Sequence, residues 1–302
     1  MRIGITGATG LIGEAFAKLA TASGHEVIAY SRRKVPPTGS LKTLQLPPEA
    51  PEKLPETPLD ALVHLAGESL MGLWTSDKKA RIWKSRVDLT QGMMAHLETW
   101  SPTHRPSIVL AASGIGYYGS CGDTLLDEKS PRGSGFLAEL CEAWEKAAGQ
   151  ASHWGARVVH LRTSMVLAQE GGAYPLMARA FRFALGGRLG KGRQWMSWIH
   201  VEDEAALILW ALENPQVHGP LNLCAPNPEL NSNFTTKLAH SLKRPAFLHV
   251  PALALRLLLR GMAEEMLLCS QRAIPGKATE LGYRFAHPKL EDAFASLSGG
   301  RI

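Results

Sequence analysis

Three glycines near the start of the sequence have the spacing of a phosphate-binding loop. Gly7, Gly10 and Gly13 lie between a short apolar run, which we predict to be a strand, and a segment with helical periodicity. In such a loop the first glycine permits a tight turn, the second lets the backbone approach a pyrophosphate, and the third lets the helix lie close to the sheet. The free amides and the dipole at the helix N-terminus then favour a negatively charged ligand. We expect a dinucleotide to contact Gly7, Thr9, Gly10, Leu11, Ile12 and Gly13; the alternative is that the glycines serve only a tight turn.

The end of the second predicted strand carries two arginines in place of an acidic residue. A site that prefers NAD usually has an Asp or Glu about 20 residues after the glycine loop, where it accepts hydrogen bonds from the ribose 2′-hydroxyl. This sequence has Ser31, Arg32 and Arg33 at that place. A guanidinium can hold a 2′-phosphate in a bidentate fork, whereas a carboxylate would repel it. The residues therefore predict NADP(H); the alternative is two arginines in contact only with solvent.

Alternating patterns along the chain predict the elements that must position these residues. Apolar runs of strand length alternate with segments of helical periodicity, as in βαβ units with a parallel sheet. We predict a Rossmann-type, doubly wound α/β fold over residues 1–225 and a small, mainly helical C-terminal region over residues 226–302. The predicted strands are Arg2–Thr6, Glu26–Ser31, Ala61–Leu65, Ser107–Ala112 and Arg157–Leu161, with a short edge strand at Leu41–Leu46. The predicted helices are Leu11–Ser23, Asp77–Thr99, Phe136–Ala151, Pro175–Leu185 and Asp203–Leu212.

The composition excludes several other classes of protein. The 302 residues are 45% hydrophobic with a formal net charge of +6, which indicates a large core and favours anionic ligands. Lysines and arginines are scattered, so we expect no nucleic-acid partner. The four cysteines lack metal-ligand spacing, which predicts a reducing compartment and no bound metal. The most apolar stretch, Pro251 to Leu268, contains four charges and no secretion signal is evident, so we expect a cytoplasmic protein with no membrane partner.

Further motifs resemble those of the extended short-chain dehydrogenase/reductases. They are Val63-His64-Leu65-Ala66-Gly67, the stretch from Ser113 to Gly119, and the stretch from Trp198 to Asp203. Other phrases, among them Gly190 to Trp195 and Ser270-Gln271-Arg272, are similar to an atypical subgroup, the YfcH-like NAD(P)-dependent epimerase/dehydratase family. The resemblance covers nearly the whole chain. It implies a Rossmann fold and an NAD(P) cofactor in contact with Leu65, Ala66 and Gly67, but names no substrate.

The same resemblance implies an altered active site. Typical members use a Ser, a Tyr-x-x-x-Lys pair on the next helix and an Asn on the helix before; Tyr moves the proton and Lys lowers its pKa. With Glu145 aligned to the acidic residue that follows the pair, Leu137 takes the Tyr position and Cys141 the Lys position. The Asn position falls on Arg86, and the Ser is retained as Ser113, within a register of one residue.

Four titratable residues are candidate proton donors in place of the missing tyrosine. Tyr117 and Tyr118 follow the strand beside Ser113, and each is either a substitute donor or a packing residue. Cys141 is a reactive thiol or buried packing. His200 is an acid–base residue or, as we prefer, part of a short strand leading to Asp203, which would cap the next helix.

Two arginines are candidate anion-binding residues. Arg86, at its matched position, would face the nicotinamide side of the cleft, although a solvated arginine is the alternative. Arg162 ends a buried strand at the carboxyl edge of the sheet, where ligands collect in open α/β folds. Arg193, Trp195 and Trp198 either line a substrate pocket or pack as a surface loop.

Together these features predict an NADP(H)-dependent oxidoreductase or epimerase acting on a small carbonyl or sugar-type substrate. The loss of the Tyr and Lys leaves an alternative open, a non-catalytic NADP(H)-binding protein that senses redox state or supports an assembly.

Overall fold

A computed structural model describes residues 1–32, 41–47 and 49–298, and its centre is a sheet of parallel strands. The strands are β1 (Arg2–Thr6), β2 (Glu26–Ser31), β3 (Leu41–Gln45), β4 (Ala61–His64), β5 (Ile108–Gly114), β6 (Leu125–Leu126), β7 (Arg157–Thr163), β8 (Met165–Leu167), β9 (Gly187–Leu189), β10 (Trp195–Met196), β11 (Trp198–His200), β12 (Gly219–Leu223), β13 (Glu229–Leu230), β14 (Leu248–Val250) and β15 (Arg272–Ala273). The helices are α1 (Leu11–Ala22), α2 (Ser76–Trp83), α3 (Leu89–Glu98), α4 (Phe136–Gly149), α5 (Tyr174–Arg182), α6 (Val201–Glu213), α7 (Asn231–Ser241), α8 (Ala252–Leu259), α9 (Gly276–Glu280) and α10 (Leu290–Leu297).

The order of the seven central strands is that of a Rossmann fold. It runs β12-β7-β5-β4-β1-β2-β3, and every neighbouring pair is parallel. The order reverses between β1 and β4, and ligands of open α/β sheets bind at such a point. The predicted fold class is confirmed, and so are the five main predicted strands and the edge strand, with ends that differ by at most two residues.

Helices cover both faces of this sheet. On one face, Phe16 of α1 and Leu207 of α6 pack against Ile5 of β1 in a buried cluster. On the other face, Met93 of α3 packs against Leu62 of β4. The central strands are apolar on both faces because both are covered, which is why they read as continuous apolar runs in the sequence.

The predicted helix Asp77–Thr99 is divided in the structure. Helix α2 ends at Trp83, a π-helical turn follows at Lys84–Asp88, and α3 continues from Leu89. Such turns insert an extra residue and are frequent at functional sites. Here the turn contains Arg86, which is buried.

The C-terminal region is tied to the preceding chain by short ladders. Strand β13 pairs with β10, β14 with β9, and β15 with β6. The predicted division at residue 225 stays a prediction. Among the described residues, no helix is both long enough and apolar enough to cross a membrane.

The last strand of the main sheet, β12, was absent from the predicted strands. Its sequence, Gly-Pro-Leu-Asn-Leu, interrupts the apolar run with Pro220 and Asn222. Pro220 is tolerated because β12 lies at the sheet edge, where one side of the strand needs no ladder partner.

Candidate active site

The glycine loop forms a close-packed cradle at the start of α1. Gly7 has a φ of +76°, and a Cβ there would lie 2.8 Å from the carbonyl oxygen of Leu65. A Cβ at Gly13 would lie 2.2 Å from the carbonyl oxygen of Gly7. Gly10 precedes α1 and offers no side-chain cap, so the first-turn amides are left for a ligand. The cradle fits the pyrophosphate of a dinucleotide.

The neighbouring strand ends complete this part of the cleft. The amide of Leu65 donates to the carbonyl oxygen of Thr6, so the segment from Leu65 to Gly67 lies directly beside the glycine loop. Ser31 ends β2 in a buried position and Arg32 follows it in an exposed one. Arg33 lies outside the described residues.

A buried ionic network occupies the carboxyl edge of β5 and β7. The guanidinium of Arg162 donates from Nε and Nη2 to the two carboxylate oxygens of Glu145, at 2.8 and 2.9 Å. Ser113 Oγ donates to the same carboxylate at 2.7 Å. Arg162 is thus fully engaged with protein groups, and the geometry favours a positioning role for it over the anion-binding role that we predicted.

The two tyrosines after β5 have different environments. Tyr118 is buried; its hydroxyl donates to Asn222 Oδ1 at 2.7 Å and accepts from Arg162 Nη1 at 3.0 Å. Burial raises the pKa of Tyr118 well above its ordinary value. The ring of Tyr117 is half-buried, with the guanidinium carbon of Arg162 3.5 Å from its centroid. Tyr118 is therefore held as a packing residue, and Tyr117 is the tyrosine that remains accessible.

The residues at the Tyr and Lys positions are both buried on α4. Leu137 packs against Gly116, and a Cβ added to Gly116 would lie 2.9 Å from the Cβ of Leu137. Cys141 Sγ lies beside Gly114. Burial raises the pKa of the Cys141 thiol to about 11, and the charge of Glu145 adds to the rise. Cys141 is thus a protonated thiol, not a thiolate nucleophile.

Arg86 is a buried cation of the site. It is 9% exposed, it packs on Gly67 and lies 5.2 Å from the ring centroid of Trp144, and Ser85 Oγ accepts from it at 3.4 Å. Within the described part of the chain, no carboxylate lies within ion-pair distance of it. Burial lowers the pKa of Arg86, and the nearby Cys141 and Glu68 oppose that shift. An anion bound here would restore charge balance.

His200 is structural, and its detail corrects our expectation about the cap of α6. Its Nδ1 accepts the amide of Glu202, so His200 caps the helix that was expected to be capped by Asp203. Asp203 instead accepts the amides of Ala286 and His287 and so fixes the C-terminal segment. Its Nδ1 lone pair is used in the cap and its Nε2 is buried, so the ring is poorly placed for acid–base work.

A cavity of about 800 Å³ opens beside the loop that follows the tyrosines. Its wall includes Asp123, Lys191, Arg193 and Arg256. Of the residues that we predicted to line a pocket, Arg193 does so. Trp195 donates from its indole to Asp123 at 2.7 Å and so supports the wall.

Trp198 does not line the cavity. It is completely buried, and its indole donates to the carbonyl oxygen of Asn227. For Trp198 the packing alternative is therefore the correct one.

Three residues of the site were not predicted. Glu145 served only to align the helix, yet it joins Ser113 to Arg162. Asn222 fixes Tyr118 from β12, and Glu265 accepts the amides of Phe136 and Leu137 at 3.1 and 2.7 Å. The sequence offered one signal for these residues, the polar Asn222 within an otherwise apolar run. Glu265 gave none, because its partner lies 128 residues away in the sequence.

The fold and the site together define a dinucleotide-binding Rossmann protein of the atypical short-chain dehydrogenase/reductase type. Residues 3–224 match the model of the NAD dependent epimerase/dehydratase family, and residues 250–297 match a domain of unknown function, DUF1731. The chain therefore belongs to the NAD-dependent epimerase/dehydratase family, as the sequence motifs predicted.

The similarity to known proteins extends over nearly the whole chain. An epimerase family protein of Mycobacterium leprae is 38% identical over 97% of this chain and 94% of its own length. A chloroplastic SDR39U1 homolog of Arabidopsis thaliana is 34% identical over 98% of this chain and 86% of its own length. The crystal structure of human epimerase family protein SDR39U1 with NADPH is similar at a TM-score of 0.87, with 33% identity and 99% of both chains covered. UDP-glucose 4-epimerase of Thermus thermophilus, with a TM-score of 0.77 at 14% identity and 98% of both chains covered, shows the common fold alone.

Proposed function

We propose that this protein binds NADP(H) and transfers hydride between the cofactor and a small, anionic carbonyl or sugar-type substrate. The observation that carries the proposal is Arg86, a buried guanidinium without a carboxylate partner, which contacts Gly67 and lies on the same side of the cleft as Cys141. Such a charge favours a bound anion over an empty site. The cofactor would supply the hydride, and the chain supplies binding, orientation and the proton.

The choice of NADP(H) over NAD(H) rests on two supports. Arg32 follows the end of β2 and is exposed, so its guanidinium is free to reach a 2′-phosphate. The human relative was crystallised with NADPH, whereas other structures of this fold contain NAD.

The class of substrate is inferred from the cavity. Its volume suits a small ligand, and Lys191 and Arg193 in its wall have no ion-pair partner among the described residues. Both favour a substrate with a carboxylate or phosphate group.

Proton transfer falls to Tyr117 or Cys141. Reduction of a carbonyl requires a proton at oxygen, and Leu137 has none to give. Tyr118 is engaged on both sides, by Asn222 and by Arg162. Tyr117 is preferred because its ring is accessible and lies against a cation.

One observation favours a second function, that of a non-catalytic NADP(H)-binding protein. Leu137 fills the place beside Gly116 where a tyrosine would work, and that substitution is what a non-catalytic NADP(H)-binding protein would tolerate. In either case we propose a reducing, cytoplasmic location, supported by four cysteines that form no disulfide.

Titration of the purified protein with NADPH and NADH tests the cofactor. NADPH should bind about tenfold more tightly or better, since a charged hydrogen bond to phosphate contributes roughly 1.5–3 kcal/mol. Arg32→Ala should remove that preference, and Arg86→Ala should weaken the binding of both cofactors or of the substrate. Arg284→Ala, which removes the same charge from an exposed position, should change neither. Equal affinities that Arg32→Ala leaves unchanged would reject NADP(H) selection.

A screen of anionic aldehydes and ketones with NADPH then separates the two functions. If the wild type turns over a substrate and Arg193→Ala raises the KM for it, the protein is an enzyme. Tight NADPH binding with no turnover across the screen supports the non-catalytic protein.

A further inference from the structure

Two segments of the sequence carry many cations and no acidic residue. Residues 171–200 and 243–263 contain no Asp or Glu. Their nine cations are Arg179, Arg182, Arg188, Lys191, Arg193, Lys243, Arg244, Arg256 and Arg260. Within the described part of the chain only Arg256 has an ion-pair partner, which is Glu264.

The fold brings the two segments together. Strand β9 of the first pairs in parallel with β14 of the second, with Gly187 opposite Leu248 and Leu189 opposite Val250. The amide of Gly190 continues the ladder to the carbonyl oxygen of Val250. The paired residues are 61 positions apart in sequence, so the sequence alone does not show that the two basic segments are neighbours.

Large apolar side chains are exposed on the same two segments. Phe183 and Leu185 lie just before β9, Phe247 lies just before β14, and α8 follows β14 directly. The two strands are parallel and three residues long, so the ladder that joins the two segments is only roughly 10 Å in length. The exposed fraction is 90% for Phe247 and between 65% and 73% for Phe183, Leu185, Leu253, Leu257 and Leu258. We call this surface the basic apolar face.

We propose that the basic apolar face docks on the surface of an anionic lipid membrane. Exposed Phe and Leu side chains with Arg and Lys around them are the chemistry that recognises acyl chains and anionic headgroups at once. A nucleic acid would match the cations but not the leucines of α8. A second copy of the chain would bury the leucines but would place like charges opposite each other.

This proposal replaces our expectation that membranes are not partners, and it concerns binding at the surface, since α8 is too short to span a bilayer. The cavity of the candidate active site includes Lys191 and Ala252 in its wall, so it opens at the border of the basic apolar face. Docking is nevertheless independent of the proposed cofactor chemistry.

Flotation of the full-length protein with vesicles tests the proposal. One vesicle is phosphatidylcholine alone and the other an equimolar mixture with phosphatidylglycerol. We expect binding to the mixed vesicles only, reduced by salt. The double variant Leu257→Ser/Leu258→Ser, and separately Lys243→Glu/Arg244→Glu, should each lower the vesicle affinity by about tenfold or more. Arg284→Glu alters an exposed arginine outside the two segments and should not change it.

Each variant's urea unfolding transition and NADPH affinity are measured in parallel, and both should match the wild type. Equal binding to both vesicles, or no effect of either double variant, overturns the proposal. So does sedimentation as a dimer that Leu257→Ser/Leu258→Ser dissociates, because the leucines would then be covered by a second copy. Binding to a DNA duplex with no binding to vesicles overturns it in favour of a nucleic acid.

Discussion

Arg162 and Glu145 form a two-point ion pair at the carboxyl edge of the sheet, with Nε–Oε1 and Nη2–Oε2 distances of 2.8 and 2.9 Å. The side chains of both are largely buried, at 4% and 11% exposure. A buried pair of this kind stabilises geometry more than it stabilises the fold, because desolvation offsets much of the attraction. Its effect is to hold Ser113 on one side and the two tyrosines on the other.

Removing one partner should leave an uncompensated buried charge. We expect Glu145→Ala to lower the free energy of unfolding by about 3–5 kcal/mol, measured by urea denaturation. Glu142→Ala, on the same helix but in an exposed pair with Arg132, should change it by less than about 1 kcal/mol. Equal effects of the two variants would show that the Arg162–Glu145 pair is not buried as described.

Loss of the hydroxyl should affect the stability of the protein differently at the two adjacent tyrosines. Tyr118→Phe leaves the buried atoms Arg162 Nη1 and Asn222 Oδ1 without the hydroxyl that they contact, so we expect the free energy of unfolding to fall by about 1–3 kcal/mol. Tyr117→Phe should change stability by less than about 0.5 kcal/mol.

Activity gives the complementary readout for Tyr117. If its phenol is the proton donor, Tyr117→Phe should lower NADPH turnover about 100-fold on any substrate that the screen returns. Cys141→Ala is the comparison, since the thiol is the remaining candidate. Full activity in both variants would mean that another group supplies the proton.

Glu265 connects the C-terminal region to the helix that carries Leu137 and Cys141. Its carboxylate accepts two amides of the first turn of α4, where the helix dipole also favours a negative charge. Glu265→Ala should lower the free energy of unfolding by about 1–2 kcal/mol. Glu264→Ala, one residue away in an exposed pair with Arg256, should leave it nearly unchanged. A thermal unfolding series of the two variants decides the matter, and equal shifts would refute the capping role.

Glu204 should make stability depend on pH. It is completely buried on α6, Thr163 donates to its Oε1 at 2.8 Å, and burial raises its pKa to about 8 from an ordinary value of 4.5. Between these two values the folded protein holds a proton that the unfolded chain releases. Stability from this group is therefore complete below about pH 4.5 and is lost as the pH rises through about 8.

The Glu204→Gln variant isolates that effect, because it cannot ionise. The wild type loses stability as Glu204 ionises, whereas the variant does not. From pH 5 to pH 9 the unfolding free energy of the variant, relative to the wild type, should therefore rise by about a few kcal/mol, as the size of the pKa shift implies. Urea denaturation across this range measures it. A difference that is constant with pH would mean that Glu204 is ionised in the folded protein.

Local patterns in the sequence determined the fold class, the central strands and the glycine cradle. Gly7 and Gly13 could be assigned from their spacing because their function is a property of the backbone within one βα turn. The family could likewise be recognised, since its motifs are contiguous.

Tertiary structure decided the chemistry of the site. Tyr117 and Tyr118 are neighbours of the same type, and only the position of Asn222 on β12, 104 residues later, makes one a packing residue. Arg86 and Arg162 were equal candidates until Glu145 was found to neutralise only the second. Whether a side chain is buried, paired or free depends on groups distant in sequence, and burial and pairing are what set its pKa and its affinity for an anion.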